Sequence, residues 1–349
     1  TLKTCFLSIN YLKIMIFLKK VINKCISFYY YISNNSFMMA TNMKRVKFEK
    51  KIYIYTLAWG NYIDWYFNFT LPALMHDSNT KALENSGHEV KFILYTIGNG
   101  KDKDVIDKYI DENDYFRNIK VVELDIGQRT ETKNIAVLAV LDVFKRCIKE
   151  RALLFLAPPD HLFGNGSLYN CVIASYDKKK CFASALPRVS LDILNEIGSY
   201  PKQGITNSEL VSLCMKFPHD NFKYANEELD INTTHKGVSY RKISTGLYTV
   251  THNLPSVYLV FPIKEDYDYF NKVQDFNMWD RGWLDLLIRT KRIKISGSSD
   301  LFFLVELTPA PFERESELKK DLKHNDEVPR PEFHHYASNM FISVWRTHD

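Results

Sequence analysis

From Lys50 onward, apolar side chains along the chain switch between two spacings. Short β-branched and aromatic runs alternate with longer stretches in which apolar residues recur at helical intervals. Lys51-Ile-Tyr-Ile-Tyr-Thr56 predicts a strand, and Asn61–Met75 carries Tyr62, Trp65, Tyr66, Phe69 and Leu74 at near-helical spacing. Further strands are expected over Val90–Thr96 and Ile119–Leu124, with a polar helix over Asp102–Tyr115 between them. Thr130–Glu150 predicts a long helix with Ile135, Leu138, Leu141, Val143, Phe144 and Ile148 on its apolar side. Ala152-Leu-Leu-Phe-Leu-Ala157 is a continuous apolar run, the pattern of a strand covered on both faces. Strand–helix pairs in this order predict an α/β fold, a mostly parallel central sheet with helices on both sides.

After Lys180 the pattern loosens. Cys181–Leu186 reads as a strand, Ser208–Met215 and Trp283–Arg289 as short helices, and Leu301–Leu307 as a last apolar strand. Arg241–Phe261 reads as two strands around His252-Asn-Leu-Pro255. The expected organisation is a leader over residues 1–43, one main folded domain over 44–312, and a charged connector with a tail over 313–349. No internal repeat interrupts it.

Composition narrows the class. With 46% hydrophobic and 25% charged residues in 349, a disordered chain or a disulfide-held miniprotein is excluded. The formal charge of +5 comes wholly from Lys3, Lys13, Lys19, Lys20 and Lys24, since residues 1–43 hold no acid. The body is therefore balanced and shows no basic stripe of the kind that binds nucleic acid. The leader is apolar but broken by those lysines, which argues against a spanning helix. Three readings stay open for it: a region upstream of a start at Met38, Met39 or Met43, a basic helix on a membrane surface, or a signal or anchor. The six cysteines show no CxxC pairing and read as reduced thiols of a cytoplasmic protein.

The fold invites a search for nucleotide fingerprints, and the common ones are missing. Thr56-Leu-Ala-Trp-Gly60 holds one glycine, so GxGxxG is absent after the first strand. Gly98-Asn-Gly-Lys101 lacks the spacing and the Ser/Thr of a P-loop, and no GxSxG occurs. The informative segment is Leu153-Leu-Phe-Leu-Ala-Pro-Pro-Asp-His-Leu-Phe-Gly-Asn-Gly-Ser-Leu168. It sets Asp160 just past the C-terminal end of a buried strand, the edge at which open α/β sheets bind ligands. A carboxylate there suits a divalent cation, which neutralises a diphosphate. Pro158 and Pro159 stiffen the approach, Gly164 and Gly166 permit a sharp turn, and Ser167 is placed to cap the next helix. Lys133 and Asn134 open the long helix, whose positive end suits an anion.

This ordered set resembles GT-A-fold nucleotide-sugar glycosyltransferases of the bacterial type, which carry an Asp-x-Asp or a reduced form of it at this place. Ile52–Ala58 followed by Asn61-Tyr-Ile-Asp64 resembles their first strand and loop, near the nucleotide base. Ala185-Leu-Pro-Arg188 resembles an acceptor-side segment, Gly246–Pro255 a downstream His-Pro element, and Ser298–Pro309 an Asp-plus-apolar-strand closing element. The resemblance spans roughly residues 50–310, and the order of the set carries it rather than any one motif.

It implies a GT-A-like fold and transfer of a sugar from a nucleotide-diphosphate donor to a glycan, lipid-linked or protein acceptor, as in polysaccharide biosynthesis. Thr56, Trp59, Asp64, Lys133, Asn134, Asp160 and Ser167 are the implied donor contacts. Asp160 and His252 are the implied ligands of Mg²⁺ or Mn²⁺. Asp285 (with Asp280 nearby) and Asp300 are candidates for the base that takes the acceptor hydroxyl proton. The first Asp of the motif is replaced, giving Pro158-Pro159-Asp160. One carboxylate holds such ions weakly, so either a second ligand joins from elsewhere or metal dependence is lost. A non-catalytic carbohydrate-binding protein and a nucleotidyltransferase are the alternatives.

Overall fold

The computed structural model describes residues 47–98, 100–125, 132–219, 238–252, 255–273, 276, 278, 280–309 and 341–347, with 132–134, 238–239, 281 and 341 described by backbone alone. The leader and most of the connector lie outside the described residues.

The expected alternation is present. Strand β1 (Lys51–Leu57) leads into α1 (Asn61–Trp65), a π-helical turn (Tyr66–Thr70) and α2 (Leu71–Met75). Helix α3 (Thr80–Asn85) precedes β2 (Glu89–Ile97), α4 (Lys101–Glu112) precedes β3 (Lys120–Leu124), and α5 (Thr132–Glu150) precedes β4 (Leu153–Leu156). Then come β5 (His161–Phe163), α6 (Ser167–Tyr176), β6 (Cys181–Ser184), β7 (Arg188–Ser190), α7 (Ile193–Ile197) and α8 (Asn207–Lys216). The C-terminal part adds β8 (Val238–Ser244), β9 (Leu247–His252), β10 (Ser256–Val260), α9 (Lys264–Phe270), α10 (Arg281–Arg289), β11 (Ile293–Ile295), β12 (Leu304–Thr308) and β13 (Phe341–Arg346).

Seven strands form the central sheet in the order β11-β6-β10-β4-β1-β2-β3. All neighbours run parallel except β10, which is antiparallel to both β4 and β6. This is the expected α/β architecture, a mixed, mostly parallel central sheet flanked by helices. β4 lies inside it with all four residues buried, as its unbroken apolar run requires. Helix α5 packs on β1, β3 and β4. Tyr95 on β2 ties it down by donating to Asp142 Oδ2 (2.6 Å), which also accepts from Arg146 Nε (2.7 Å).

The helical segment after β1 widens for a reason legible in its sequence. Pro72 has no N–H to donate to the Asn68 carbonyl, and its ring crowds that carbonyl. The turn before it is π-helical, and the Asn68 carbonyl accepts from Tyr200 N (3.4 Å) instead.

Two smaller sheets depart from the linear pattern. The apolar strand near Leu301–Leu307 does not join the main sheet. As β12 it pairs with β5 and β7. Arg241–Phe261 yields β9 and β10, and with β8 before them three strands where two were expected. The tail contributes β13, which pairs along β9 from Phe341 opposite His252 to Arg346 opposite Leu247. Among the described residues, no helix is long and apolar enough to cross a membrane.

Candidate functional site

The segment after β4 is held from several sides. Thr70, at the end of the π-helical turn, donates its hydroxyl to the carbonyls of Pro159 (2.7 Å) and His161 (2.8 Å). Leu307 N on β12 donates to the carbonyl of Asp160 itself (2.8 Å). Thr56 Oγ1 donates to Ala157 O (2.7 Å), joining the ends of β1 and β4. The two glycines downstream serve different needs. Gly166 takes φ +75° just before α6, while a Cβ on Gly164 would stand 2.1 Å from Asn207 Oδ1.

The Asp160 side chain reaches a cleft of about 200 Å³ at the C-terminal ends of β1 and β4. Its walls include Tyr55, Leu57, Pro158, Pro159, His161 and Glu306, with Phe276 and Met278 from the segment before α10 and Ala136 from the start of α5. Glu306 comes from β12, where it is paired in register with His161 on β5 and with Arg188 on β7. Arg188 Nε donates to the Glu306 carboxylate at 3.1 Å. A second acid thus joins Asp160 on the cleft, and it is one that reading the sequence did not single out. Its signal was present: one carboxylate in the apolar run Leu304-Val-Glu-Leu-Thr308.

The two acids share an electrostatic neighbourhood. Partial burial, then the negative fields of Asp160 and Glu306, hold the Tyr62 phenol above its ordinary value. Burial holds the Tyr258 phenol well above its own, the Ser256 hydroxyl opposes, and the same two acids add to the rise. Asp160 Oδ1 also meets His161 Nδ1 at 2.9 Å.

The remaining candidates scatter. Thr56 is buried and committed to the Ala157 carbonyl. Trp59 stands beside Tyr62, with ring centroids 6.4 Å apart. Asp64 on α1 is exposed and accepts from Tyr109 OH (2.9 Å) on α4. Lys133 and Asn134 fall in the first turn of α5, and their side chains lie outside the described residues. Their helix nevertheless opens on the cleft through Ala136. Ser167 does not cap α6. Gly166 holds the N-cap position without a side-chain bond. The Ser167 hydroxyl is buried, donates to Phe303 O (3.0 Å) and Asn207 Oδ1 (2.9 Å), and accepts from Phe303 N (3.0 Å).

His252 is buried on β9, with Nε2 3.2 Å from Ser343 Oγ on β13, and does not line the cleft. Burial pushes its pKa down from 6.5 to about 4. Asp285 lies on α10 and Asp300 pairs with Arg346 Nη1 (3.0 Å), and neither lines the cleft. Asp280 caps α10 through Trp283 N (2.8 Å). Trp283 is core, its Nε1 donating to Asp266 Oδ1 (3.0 Å), which leaves it no face for a sugar. The cysteines at 147, 171, 181 and 214 are free and buried, and burial raises the Cys181 thiol to about 11.

Among the described residues, no group of three His, Cys, Asp or Glu stands ready to hold a metal ion. The donor set on the cleft is still the right kind for Mg²⁺ or Mn²⁺. Asp160 and Glu306 supply hard oxygens, and an ion of this type completes its shell with phosphate and water.

No family model matches the chain, and no curated protein matches it. Solved structures similar to parts of it include the inositol-1-phosphate CTP transferase from T. maritima, at 12% identity and TM-score 0.37, covering 81% of this chain and 100% of that one. The mannosyltransferase PcManGT from Pyrobaculum calidifontis, in complex with GDP-Man and Mn²⁺, matches at 9% identity and TM-score 0.28, covering 55% of this chain and 60% of that one. The 4-diphosphocytidyl-2C-methyl-D-erythritol synthase from Anaerococcus prevotii DSM 20548 matches at 17% identity and TM-score 0.27, covering 40% and 56%. Likenesses of this size carry no weight for function.

Proposed function

We propose that the chain is a glycosyltransferase that moves a sugar from a nucleotide-diphosphate donor to a glycan, lipid-linked or protein acceptor. One observation carries the reading: Asp160, at the exit of the most buried parallel strand, shares its cleft with Glu306 from a second sheet. In open α/β sheets this edge is the ligand edge. Asp160 and Glu306 would hold a divalent cation, which when bound neutralises charge on the leaving diphosphate. The start of α5 borders the cleft, so its backbone N–H groups favour the same anion. Arg188 holds Glu306 in place and tempers the repulsion between the two acids. The aromatic and proline walls restrict water around the transferring sugar.

The test is calorimetric titration of the full chain with a panel of nucleotide sugars and Mn²⁺, followed by detection of nucleoside diphosphate on adding acceptors. Binding with diphosphate release is the expected result. Pyrophosphate release from a nucleoside triphosphate and a sugar phosphate would replace this reading with a nucleotidyltransferase. Glycan binding with no response to any nucleotide would replace it with a non-catalytic binding protein.

A further inference from the structure

We infer that His161 is a positioning residue that sets the orientation of the Asp160 carboxylate toward the donor site; this rests on the reading above. His161 follows Asp160 directly in sequence, is 2% exposed, and places Nδ1 2.9 Å from Asp160 Oδ1. A carboxylate accepts, so Nδ1–H is the donor of this bond. The second nitrogen, Nε2, is buried and has no hydrogen-bond partner among the described residues. Its surroundings are aromatic, with the rings of Phe163 and Tyr258 centred 6.3 and 6.0 Å from the imidazole.

A buried nitrogen without a partner costs free energy that an apolar residue of similar shape would avoid. The bond that Nδ1 makes to the cleft carboxylate is what His161 supplies and an apolar residue could not. With Oδ1 held by Nδ1–H, Oδ2 of Asp160 is left for a ligand in the cleft. The backbone around the pair is already clamped by Thr70 and Leu307, so the imidazole restrains the side-chain torsions that those bonds leave free.

Three variants of the full chain separate this from a packing role. His161→Phe removes the donor and keeps the volume. His161→Asn restores an N–H where Nδ1 stood, and His161→Gln offers one near Nε2 instead. Mn²⁺ binding in the presence of a nucleoside diphosphate, read by electron paramagnetic resonance, is expected to weaken roughly 10–100-fold in His161→Phe and His161→Gln, while His161→Asn stays within about threefold of wild type. Thermal unfolding of His161→Phe should match or exceed wild type. Nitrogen-15 spectra of the wild-type chain should show His161 as the Nδ1–H tautomer, its signals identified by their loss in His161→Asn.

An Nε2–H tautomer, or binding by His161→Phe within about twofold of wild type, overturns the positioning role alone. Equal loss in all three variants, each folded, overturns it too. Wild-type protein that binds no Mn²⁺ while showing the Nδ1–H tautomer brings down the donor-site reading and the positioning role with it.

Discussion

Asp266 lies beneath the surface with both oxygens occupied, whereas Asp160 lies on the wall of an open cleft and, among the described residues, only its Oδ1 is engaged. Asp266 meets Arg292 in a two-pronged pair at 2.7 and 3.1 Å and also accepts from Trp283 Nε1 (3.0 Å) and Ile263 N (3.0 Å). Arg292 donates further to the Phe261 carbonyl (2.9 Å). Nothing in that cluster is left for a ligand. Asp160 is 21% exposed at its side chain, faces a second acid across shared space, and leans on a histidine that is itself half satisfied. The first arrangement holds α9, α10 and β11 together. The second leaves binding capacity unspent, which is what a functional site needs.

The largest expected effect breaks the sealed cluster. Asp266→Ala strands the Arg292 guanidinium in the core and should cost about 3–5 kcal/mol in denaturant unfolding. A loss below about 1 kcal/mol would erase the distinction between the two acids. Asp160→Asn should do the reverse. It keeps shape and turn preference, so stability should move by no more than about 1 kcal/mol, while sugar transfer falls roughly 10²–10³-fold. Wild-type turnover in that variant would remove Asp160 from the site.

His252 provides an intermediate case, buried like Asp266 but held in its neutral form by that burial. Its folded pKa is depressed from 6.5 to about 4, so the neutral form is favoured in the native state. Its contribution is therefore fully present above pH 6.5 and is lost as pH falls toward 4, because the unfolded chain takes up the proton first. The loss should approach about 3 kcal/mol across that window, and His252→Gln should flatten the curve. An unchanged acid profile in the variant would show that other groups govern it. The smallest effect sharpens the picture of the clamp. Thr70→Val leaves the Pro159 and His161 carbonyls without their shared donor, and should cost about 1–2 kcal/mol in stability while weakening donor binding more than an equally destabilising change elsewhere.

The chain's own pattern carried the first half of the fold. β1, β2 and β3 are sheet neighbours in chain order, and β4 returns through α5 to lie beside β1, so the alternation along the sequence translates into a parallel sheet. Asp160 was legible for the same reason: the end of an unbroken apolar run marks the end of a buried strand. Pro72 likewise announces the irregular turn before it.

What the tertiary structure decided is everything that joins distant segments. Glu306 reads as an ordinary strand acid until β12 pairs with β5 and β7, which sets it opposite His161 and Arg188. Asp285, Asp300 and Glu306 are alike as residue types in similar company. Pairing alone sends Asp300 to Arg346, places Asp285 on α10, and brings Glu306 to the cleft. The strand in the tail was hidden because β13 gains its partner β9 only after a long excursion of the chain. Local sequence sets periodicity and turn chemistry, where neighbouring residues compete for the same backbone torsions. Which face meets which is chosen by burial and hydrogen-bond satisfaction summed over the whole molecule, and no short window of sequence contains that sum.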